Sequence, residues 1–73
     1  MTAKQIIDMG LAKRGISKGE LARQLGWSRQ LLSTRMNTGK FSVEEWESIA
    51  NAIGAEIQIA FLFDDGIKVG LVK

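Results

Sequence analysis

Polar side chains recur at a helical spacing in the middle of the chain. They occupy positions i, i+1, i+4, i+5 and i+8 of one pattern, and they are Arg29, Gln30, Ser33, Thr34 and Asn37. Residues so spaced share one face of an α-helix, and neither a carboxylate nor a large apolar residue lies among them. Arginine and glutamine form paired hydrogen bonds with guanine and adenine in the DNA major groove, while serine and threonine can serve several bases. The chemistry open to this face is the recognition of base edges.

An isolated polar face is more often only a solvated surface, and the neighbouring elements decide between the two interpretations. Ser17 and Glu20 have the spacing of a capping box, which predicts that a helix starts there. Gly26 ends that helix, because glycine accepts the left-handed conformation of a helix C-cap. Ser28 caps the next helix, on which the polar face lies. Two short helices joined by a tight glycine turn form the helix-turn-helix pattern, and this context favours base recognition.

The charges divide along the chain. Residues 1–40 contain eight lysines and arginines and two acids, whereas residues 41–73 contain two lysines and six acids. A basic surface supplies the sequence-independent part of DNA affinity, because it neutralises phosphates and releases counterions. Charge also keeps small domains soluble, but solubility alone does not account for the separation of the two signs. The division predicts that the first half of the chain faces a polyanion.

The composition argues against several other classes of protein. With no cysteine and no histidine, the chain lacks the usual bases, nucleophiles and zinc ligands, and no glycine-rich phosphate loop of the Walker type is present. We therefore expect no enzymatic activity, no cofactor and no metal. No apolar run approaches the ~20 residues of a membrane span, and the N-terminus has no signal-peptide pattern. A cytoplasmic protein without a membrane partner is expected.

Four stretches carry a resemblance to a known family. They read ELARQLG at residues 20–26, SRQ at 28–30, FSV at 41–43 and IANAIG at 49–54. Together they resemble the phage-repressor and Cro-type helix-turn-helix family, also called the XRE family, over residues 2–55. The small residue Ala22 and the glycine Gly26 stand where that family keeps them. The resemblance implies a mainly α, lambda-repressor-like bundle of four helices that binds double-stranded DNA sequence-specifically, as a repressor whose second motif helix lies in the major groove.

The resemblance also implies roles for individual residues. The base contacts would be Ser28, Arg29, Gln30, Ser33 and Thr34. The phosphate contacts would be Arg14, Lys18, Arg23, Arg35, Asn37 and Lys40. Arg35 has an alternative, since its side chain could turn towards the acids of the fourth helix. A module that keeps this fold but binds a protein, such as an antitoxin-type partner, is the alternative function.

One rule predicts all four helix starts. Thr2, Ser17, Ser28 and Ser42 are the expected N-caps, with capping boxes to Gln5, Glu20 and Glu45. The third helix has Leu31 at the box position, either because an acid there would repel a DNA phosphate or because Leu31 simply packs. The expected buried residues are Ala3, Ile6, Ile7 and Leu11, then Leu21, Ala22 and Leu25, then Leu31, Leu32 and Met36, then Val43, Trp46, Ile49, Ala50 and Ile53.

After residue 55 the apolar period changes to two, which indicates strands. Ile57, Ile59, Phe61 and Phe63 alternate with less apolar residues, and Ile67, Val69 and Leu71 do so again. A three-residue loop, Asp64-Asp65-Gly66, pairs Phe63 with Ile67 and puts both apolar sets on one face. The sequence thus predicts a helix-turn-helix DNA-binding unit over residues 1–55 and a C-terminal β-hairpin over 56–73, within one compact domain.

An isolated two-stranded hairpin is only marginally stable in water. Either it folds back on the helices of its own chain, or a second chain covers it. We favour a homodimer, because one short recognition helix touches too few base pairs and two-fold dimers double the site. The expected dimer contacts are Phe61, Leu62, Phe63, Val69 and Leu71.

Overall fold

The structure, a computed structural model, describes residues 1–72, and for Lys68, Val69, Leu71 and Val72 it describes the backbone alone. The chain is mainly helical, as the sequence predicted, and two strands follow the helices. The elements in chain order are α1 (Ala3–Arg14), α2 (Lys18–Leu25), α3 (Arg29–Thr38), α4 (Val43–Ala52), β1 (Gln58–Leu62) and β2 (Lys68–Val72).

Each helix begins with a hydroxyl cap. The side chains of Thr2, Ser17, Ser28 and Ser42 each accept a hydrogen bond from the backbone N–H three residues on. The reciprocal bond of a capping box forms at α1 and α4, where Gln5 and Glu45 accept from the cap backbone. At α2 only one of the two bonds of the expected capping box forms, from the Glu20 N–H to the Ser17 hydroxyl. The Glu20 carboxylate accepts hydrogen bonds from Arg23 and Gln24, and not from the cap backbone. The four predicted helix starts are confirmed, and one of the three capping boxes is not.

The core contains side chains from all four helices. It consists of Ile7 and Leu11 of α1, Leu21 and Ala22 of α2, Leu32 and Met36 of α3, and Ile49 of α4. Three residues that the sequence assigned to buried faces are exposed instead, namely Ile6, Leu31 and Val43. Successive residues of a helix point about 100° apart. Ile7 and Leu32 face the core, and their neighbours Ile6 and Leu31 lie to the side of it, so Leu31 does not pack into the core.

A cluster of three aromatic rings and one arginine joins the end of α3 to the start of α4. The ring centroid of Phe41 lies 6.2 Å from that of Trp27 and 4.9 Å from that of Trp46. The Arg35 guanidinium carbon lies 5.1 Å from the Trp27 ring centroid and 5.5 Å from the Phe41 centroid. Both tryptophans pack against the core, as the sequence predicted for Trp46. This Arg35 cluster ties α3 and the Trp27 turn before it to α4.

The strands form a two-stranded antiparallel sheet in which Phe61 lies opposite Val69. At the turn, the Phe63 N–H donates to the Ile67 carbonyl at 2.9 Å. The loop between them closes on Gly66, whose φ of +87° is a conformation that favours glycine. Every residue of β1 is exposed, so β1 adds nothing to the buried core.

An apolar groove separates the start of β1 from the helices. Its volume is about 530 Å³, and its walls include Ile6 and Gly10 of α1, Ile53 after α4, and the two isoleucines Ile57 and Ile59. The helices and the strand pair therefore meet across an open, apolar surface instead of a packed one.

Candidate nucleic-acid interface

The predicted polar face of α3 is a continuous exposed surface. Arg29, Gln30, Ser33, Thr34 and Asn37 are all exposed, while Leu32 and Met36 on the other side of the helix are buried. Within residues 1–72 none of these five polar side chains hydrogen-bonds or ion-pairs with another residue. Their donors and acceptors are therefore free to bind a ligand, and α3 presents them as a rigid row.

Ser28 differs from the other predicted base contacts. Its Oγ accepts a hydrogen bond from the Leu31 N–H at 3.0 Å, as the N-cap of α3. A hydroxyl has one proton and two lone pairs, so Ser28 can still donate to a base or a phosphate. In the structure, Ser28 caps the helix that carries the other four predicted base contacts.

Two lysines flank the polar face on its α1 and α2 side. Lys4 and Lys18 line a small pocket of about 120 Å³ together with Ser33 and Asn37 of α3. Lys18 also lies 3.8 Å from the carboxylate of Asp8. The sequence analysis assigned Lys18 to phosphate contacts but missed Lys4, which only the packing of α1 against α3 brings there. The signal that could have found it is its spacing from Ile7 and Leu11, which puts Lys4 at the edge of the buried stripe.

Arg29, the first residue of α3, lies against the first turn of α2. An ideal Cβ placed on Gly19 would lie 3.4 Å from the Arg29 Nε and 3.6 Å from its Cδ and Cζ. The Arg29 side chain therefore passes beside the start of α2, where Gly19 carries no side chain. No acid lies in the first turn of α3 to pair with it, so its charge is left for a ligand.

Arg23, a predicted phosphate contact, is exposed but already paired. Its Nε donates to the Glu20 carboxylate at 2.9 Å, and a second guanidinium nitrogen donates to the other carboxylate oxygen. The bonds from Arg23 and Gln24 lower the pKa of Glu20 to about 2, and the same pairing raises the pKa of Arg23. A phosphate would have to compete with Glu20 for this guanidinium, and Arg23 is therefore left out of the interface proposed below.

Two other predicted phosphate contacts have structural partners. Arg14 donates to the carbonyls of Ile53 at 2.8 Å and Gly54 at 3.1 Å, and so caps the C-terminus of α4. Arg35 donates to the Lys40 carbonyl at 2.7 Å and pairs with Glu45, which is the alternative that the sequence left open. These bonds hold both guanidinium groups within the fold, and we leave Arg14 and Arg35 out of the interface proposed below.

Lys40 remains beside α3, exposed and with no partner for its ammonium group within the described residues. Two acids of α4 lie near the end of α2. Glu44 and Glu45 line a polar pocket with Gln24 and Leu25, at the C-terminus of that helix. Lys18 begins the same helix, which is about 12 Å long. These two acids thus lie apart from Lys18, although Glu45 pairs with Arg35 of α3.

No helix within residues 1–72 combines the length and the apolar character needed to cross a membrane. Compared with models of protein families, with curated proteins and with solved structures, the chain matches none of them.

Proposed function

We propose that this chain is a small DNA-binding regulator of the helix-turn-helix type, a repressor that recognises a specific double-stranded sequence. The observation that carries the proposal is the exposed face of α3, whose five polar side chains have no partner in the described part of the chain. Base recognition needs unpaired donors and acceptors on a rigid element that fits the major groove. The α2–Gly26–α3 unit supplies such an element, and lysines from α1 and α2 flank it.

In the proposed complex α3 lies in the major groove, and α2 crosses the phosphate backbone. Arg29, Gln30 and Thr34 contact bases, with Ser33 and Ser28 beside them. Lys4, Lys18, Asn37 and Lys40 contact phosphates, and the free amides at the start of α2 support a phosphate there, because a helix N-terminus favours anions. Phosphate contacts set the register, and base contacts set the preference.

Selection of bound sequences from a random DNA pool tests the proposal. We expect enrichment of one motif, and an affinity for it that falls as salt rises, because each phosphate contact releases counterions. A matched control carries alanine at Arg29, Gln30 and Thr34. These side chains are exposed, so the control should fold normally, as circular dichroism would check, but enrich no motif. A wild type that enriches nothing and binds no duplex at low salt would refute the proposal.

The regulator is proposed to act as a homodimer through the β1–β2 strand pair, the predicted hairpin. The chain exposes 5306 Å², against about 4,450 Å² for a compact monomer of its mass. The excess, roughly 850 Å², means that part of the chain packs loosely against the rest. Phe61, Leu62 and Phe63 supply apolar area for a dimer contact, with exposures of 73%, 76% and 53%. The side chains of the other two predicted contacts, Val69 and Leu71, lie outside the described part.

The same exposed strand pair supports a second candidate, an interaction module that binds a different protein. Light scattering on the purified chain separates the two. A dimer at tens of micromolar supports the regulator, whereas a monomer that also shifts no labelled duplex supports the interaction module.

A further inference from the structure

The small pocket where α1, α2 and α3 meet is lined by residues from all three helices. Its volume is about 120 Å³, and its walls are formed by Lys4 of α1, Lys18 of α2, and Ser33, Met36 and Asn37 of α3. Such a volume holds about four waters, so the polar residues on its walls lie close to one another. The side chains of its two lysines, its serine and its asparagine can all donate hydrogen bonds to one small ligand.

The charges around this pocket are unbalanced in the free protein. Asp8 lies 3.8 Å from Lys18 and is the only acid within residues 1–72 that pairs with either lysine. Lys4 is the second residue of α1 and Lys18 is the first of α2, and a cation in the first turn of a helix is unfavourable. An anion in the pocket would offset both lysines and lie near the starts of two helices.

The polar face of α3 divides into two rows, of which one belongs to the pocket. Ser33 and Asn37 lie about one turn apart and form the first row. Gln30 and Thr34 form the second row in the same way. Only the first row lines the pocket, and neither of its side chains makes a hydrogen bond within the described residues. The second row points about 100° away from the first, so the two rows face different parts of a ligand.

We propose that this pocket binds one phosphate oxyanion, which its two lysines, its serine and its asparagine hold together. The inference rests on the proposed function for the source of that phosphate, which is the DNA backbone. It also moves Ser33 from the base contacts to the phosphate contacts. Phosphate oxygens accept hydrogen bonds from ammonium, hydroxyl and amide donors alike. Because the four residues come from three helices, a single phosphate would fix α1, α2 and α3 against the duplex.

A methylphosphonate scan of the selected duplex tests whether the four side chains share a phosphate. Each backbone phosphate is replaced in turn by a neutral methylphosphonate, and binding is measured for the wild type and for Lys4→Ala, Lys18→Ala, Ser33→Ala and Asn37→Ala. On the unmodified duplex, each variant should lose roughly 2- to 10-fold in affinity. At one position of each half-site, the neutral group should weaken the wild type and leave all four variants with no further loss, because residues that share a partner are not additive. Lys40→Ala is the matched control and should keep its full loss there.

Ser33 gives a separate readout, with its neighbour Thr34 on the second row as the matched control. Ser33→Ala should lower the affinity for every sequence alike, whereas Thr34→Ala should relax the preference at one base pair. Both side chains are exposed, so both variants should fold, as circular dichroism would check. Loss of a base preference in Ser33→Ala would return Ser33 to the base contacts and contradict the inference.

Inorganic phosphate, titrated into the free protein against chloride at equal ionic strength, tests the pocket without DNA. The backbone amide resonances of Ser33 and Asn37 should shift along one saturable curve, which Lys4→Ala weakens and Lys40→Ala leaves unchanged. If the duplex results hold and free phosphate shifts nothing, the source of the phosphate is the DNA backbone alone.

The failure of the inference can be told from the failure of the proposed function. If the four variants lose their effects at different phosphates, the shared pocket is wrong while the proposed function stands. If free phosphate binds and the wild type binds no duplex, the pocket stands and the proposed function fails. If neither binds, both are wrong.

Discussion

At the scale of single residues, the candidate site contains cations of two kinds. Lys4, Lys18 and Lys40 are compact point charges on flexible stems, suited to phosphate. Arg29 is a planar group with donors in a fixed geometry, and it lies at the start of α3 with no acid to pair with. The two kinds of cation should therefore respond differently to the same test, and the first two predictions use this difference.

Arg29→Ala should cost roughly 1–3 kcal/mol of binding free energy on the selected sequence and relax the preference at one guanine. The reason is that the paired hydrogen bonds to that base are lost while the phosphate contacts remain. Competition binding with each single-base variant of the site measures it. Equal weakening on every sequence would make Arg29 a phosphate contact and contradict the assignment.

Lys4→Ala and Lys40→Ala should each weaken binding to all sequences alike and reduce the slope of log K against log salt by about one unit. Lys13→Ala is the matched control. Lys13 is also an exposed lysine of α1, but it lies nine residues from Lys4, about two and a half turns away and so on the opposite side of the helix. The slope is measured between low and moderate salt. An unchanged slope for Lys4→Ala would remove that residue from the interface.

The Glu20–Arg23 pair gives a pH-dependent signature. Hydrogen bonds from Arg23 and Gln24 hold the pKa of Glu20 at about 2 in the folded state, below its ordinary 4.5. A lowered pKa adds stability above pH 4.5, and that stability is lost as the pH falls from 4.5 towards 2. The stability gap between the wild type and Glu20→Gln should therefore narrow over that range. Chemical denaturation at several pH values measures it, and a constant gap would show that the pair does not stabilise the fold.

At the scale of elements, the Arg35 cluster decides how α3 is held. Arg35→Met should cost about 1–2 kcal/mol of unfolding free energy, because the guanidinium leaves the Trp27 and Phe41 rings and its hydrogen bond to Lys40 is lost. Arg35→Lys should not rescue it, since an ammonium group lacks the planar donor geometry. Arg29→Met is the control, because the Arg29 side chain is exposed and makes no hydrogen bond or ion pair within the described residues. Equal denaturation midpoints for Arg35→Met and the wild type would contradict this role.

The helices could be predicted because their signals are local. A hydroxyl cap and the residues three and four positions later fix each start, and Gly15 and Gly26 end α1 and α2 in the left-handed conformation. The apolar stripes were less certain. A helix with two adjacent apolar residues, such as Ile6 and Ile7, allows either to face the core, and only tertiary packing chooses.

Among the long cations, the sequence offered the partner of Arg35 only as an alternative, and it gave no sign of the partners of Arg14. Arg14 binds carbonyls 39 and 40 residues away, and no local pattern encodes such a distance. For Lys4, the spacing from Ile7 and Leu11 indicates the face of α1, but its place beside Ser33 and Asn37 depends on how α1 packs. The composition of the α3 face is visible in the sequence, whereas the set of cations around it depends on the fold.

At the scale of the whole molecule, the chain is extended for its size. Its radius of gyration is 13.4 Å, against about 11 Å for a compact domain of this length, and its longest axis measures 42 Å against 23 and 20 Å for the others. A second copy that packs on the strand pair would bring two α3 helices into one dimer. Two-fold symmetry would then require an inverted repeat with half-sites roughly 34 Å apart.

The final prediction concerns which face of the strand pair carries that contact. Phe61 and Leu62 are neighbours on β1 with nearly equal exposure, 73% and 76%, but successive residues of a strand point to opposite faces. Phe61 shares its face with Ile57 and Ile59, which line the apolar groove beside α1 and α4. The test replaces Phe61 by lysine in one variant and Leu62 by lysine in another. A lysine at the centre of an interface carries an unpaired charge that must be desolvated, and so disfavours the dimer.

Light scattering at tens of micromolar and binding to one or two half-sites are measured for each variant, with circular dichroism as the check on folding. If the grooved face is the interface, Phe61→Lys should be monomeric and lose about tenfold or more in affinity for the full operator, while its affinity for a single half-site stays the same. Leu62→Lys should then remain dimeric. The reverse pattern would assign the contact to the other face. A wild type that is itself monomeric and binds one half-site would refute the dimer. The strand pair would then only cover the apolar groove of its own chain.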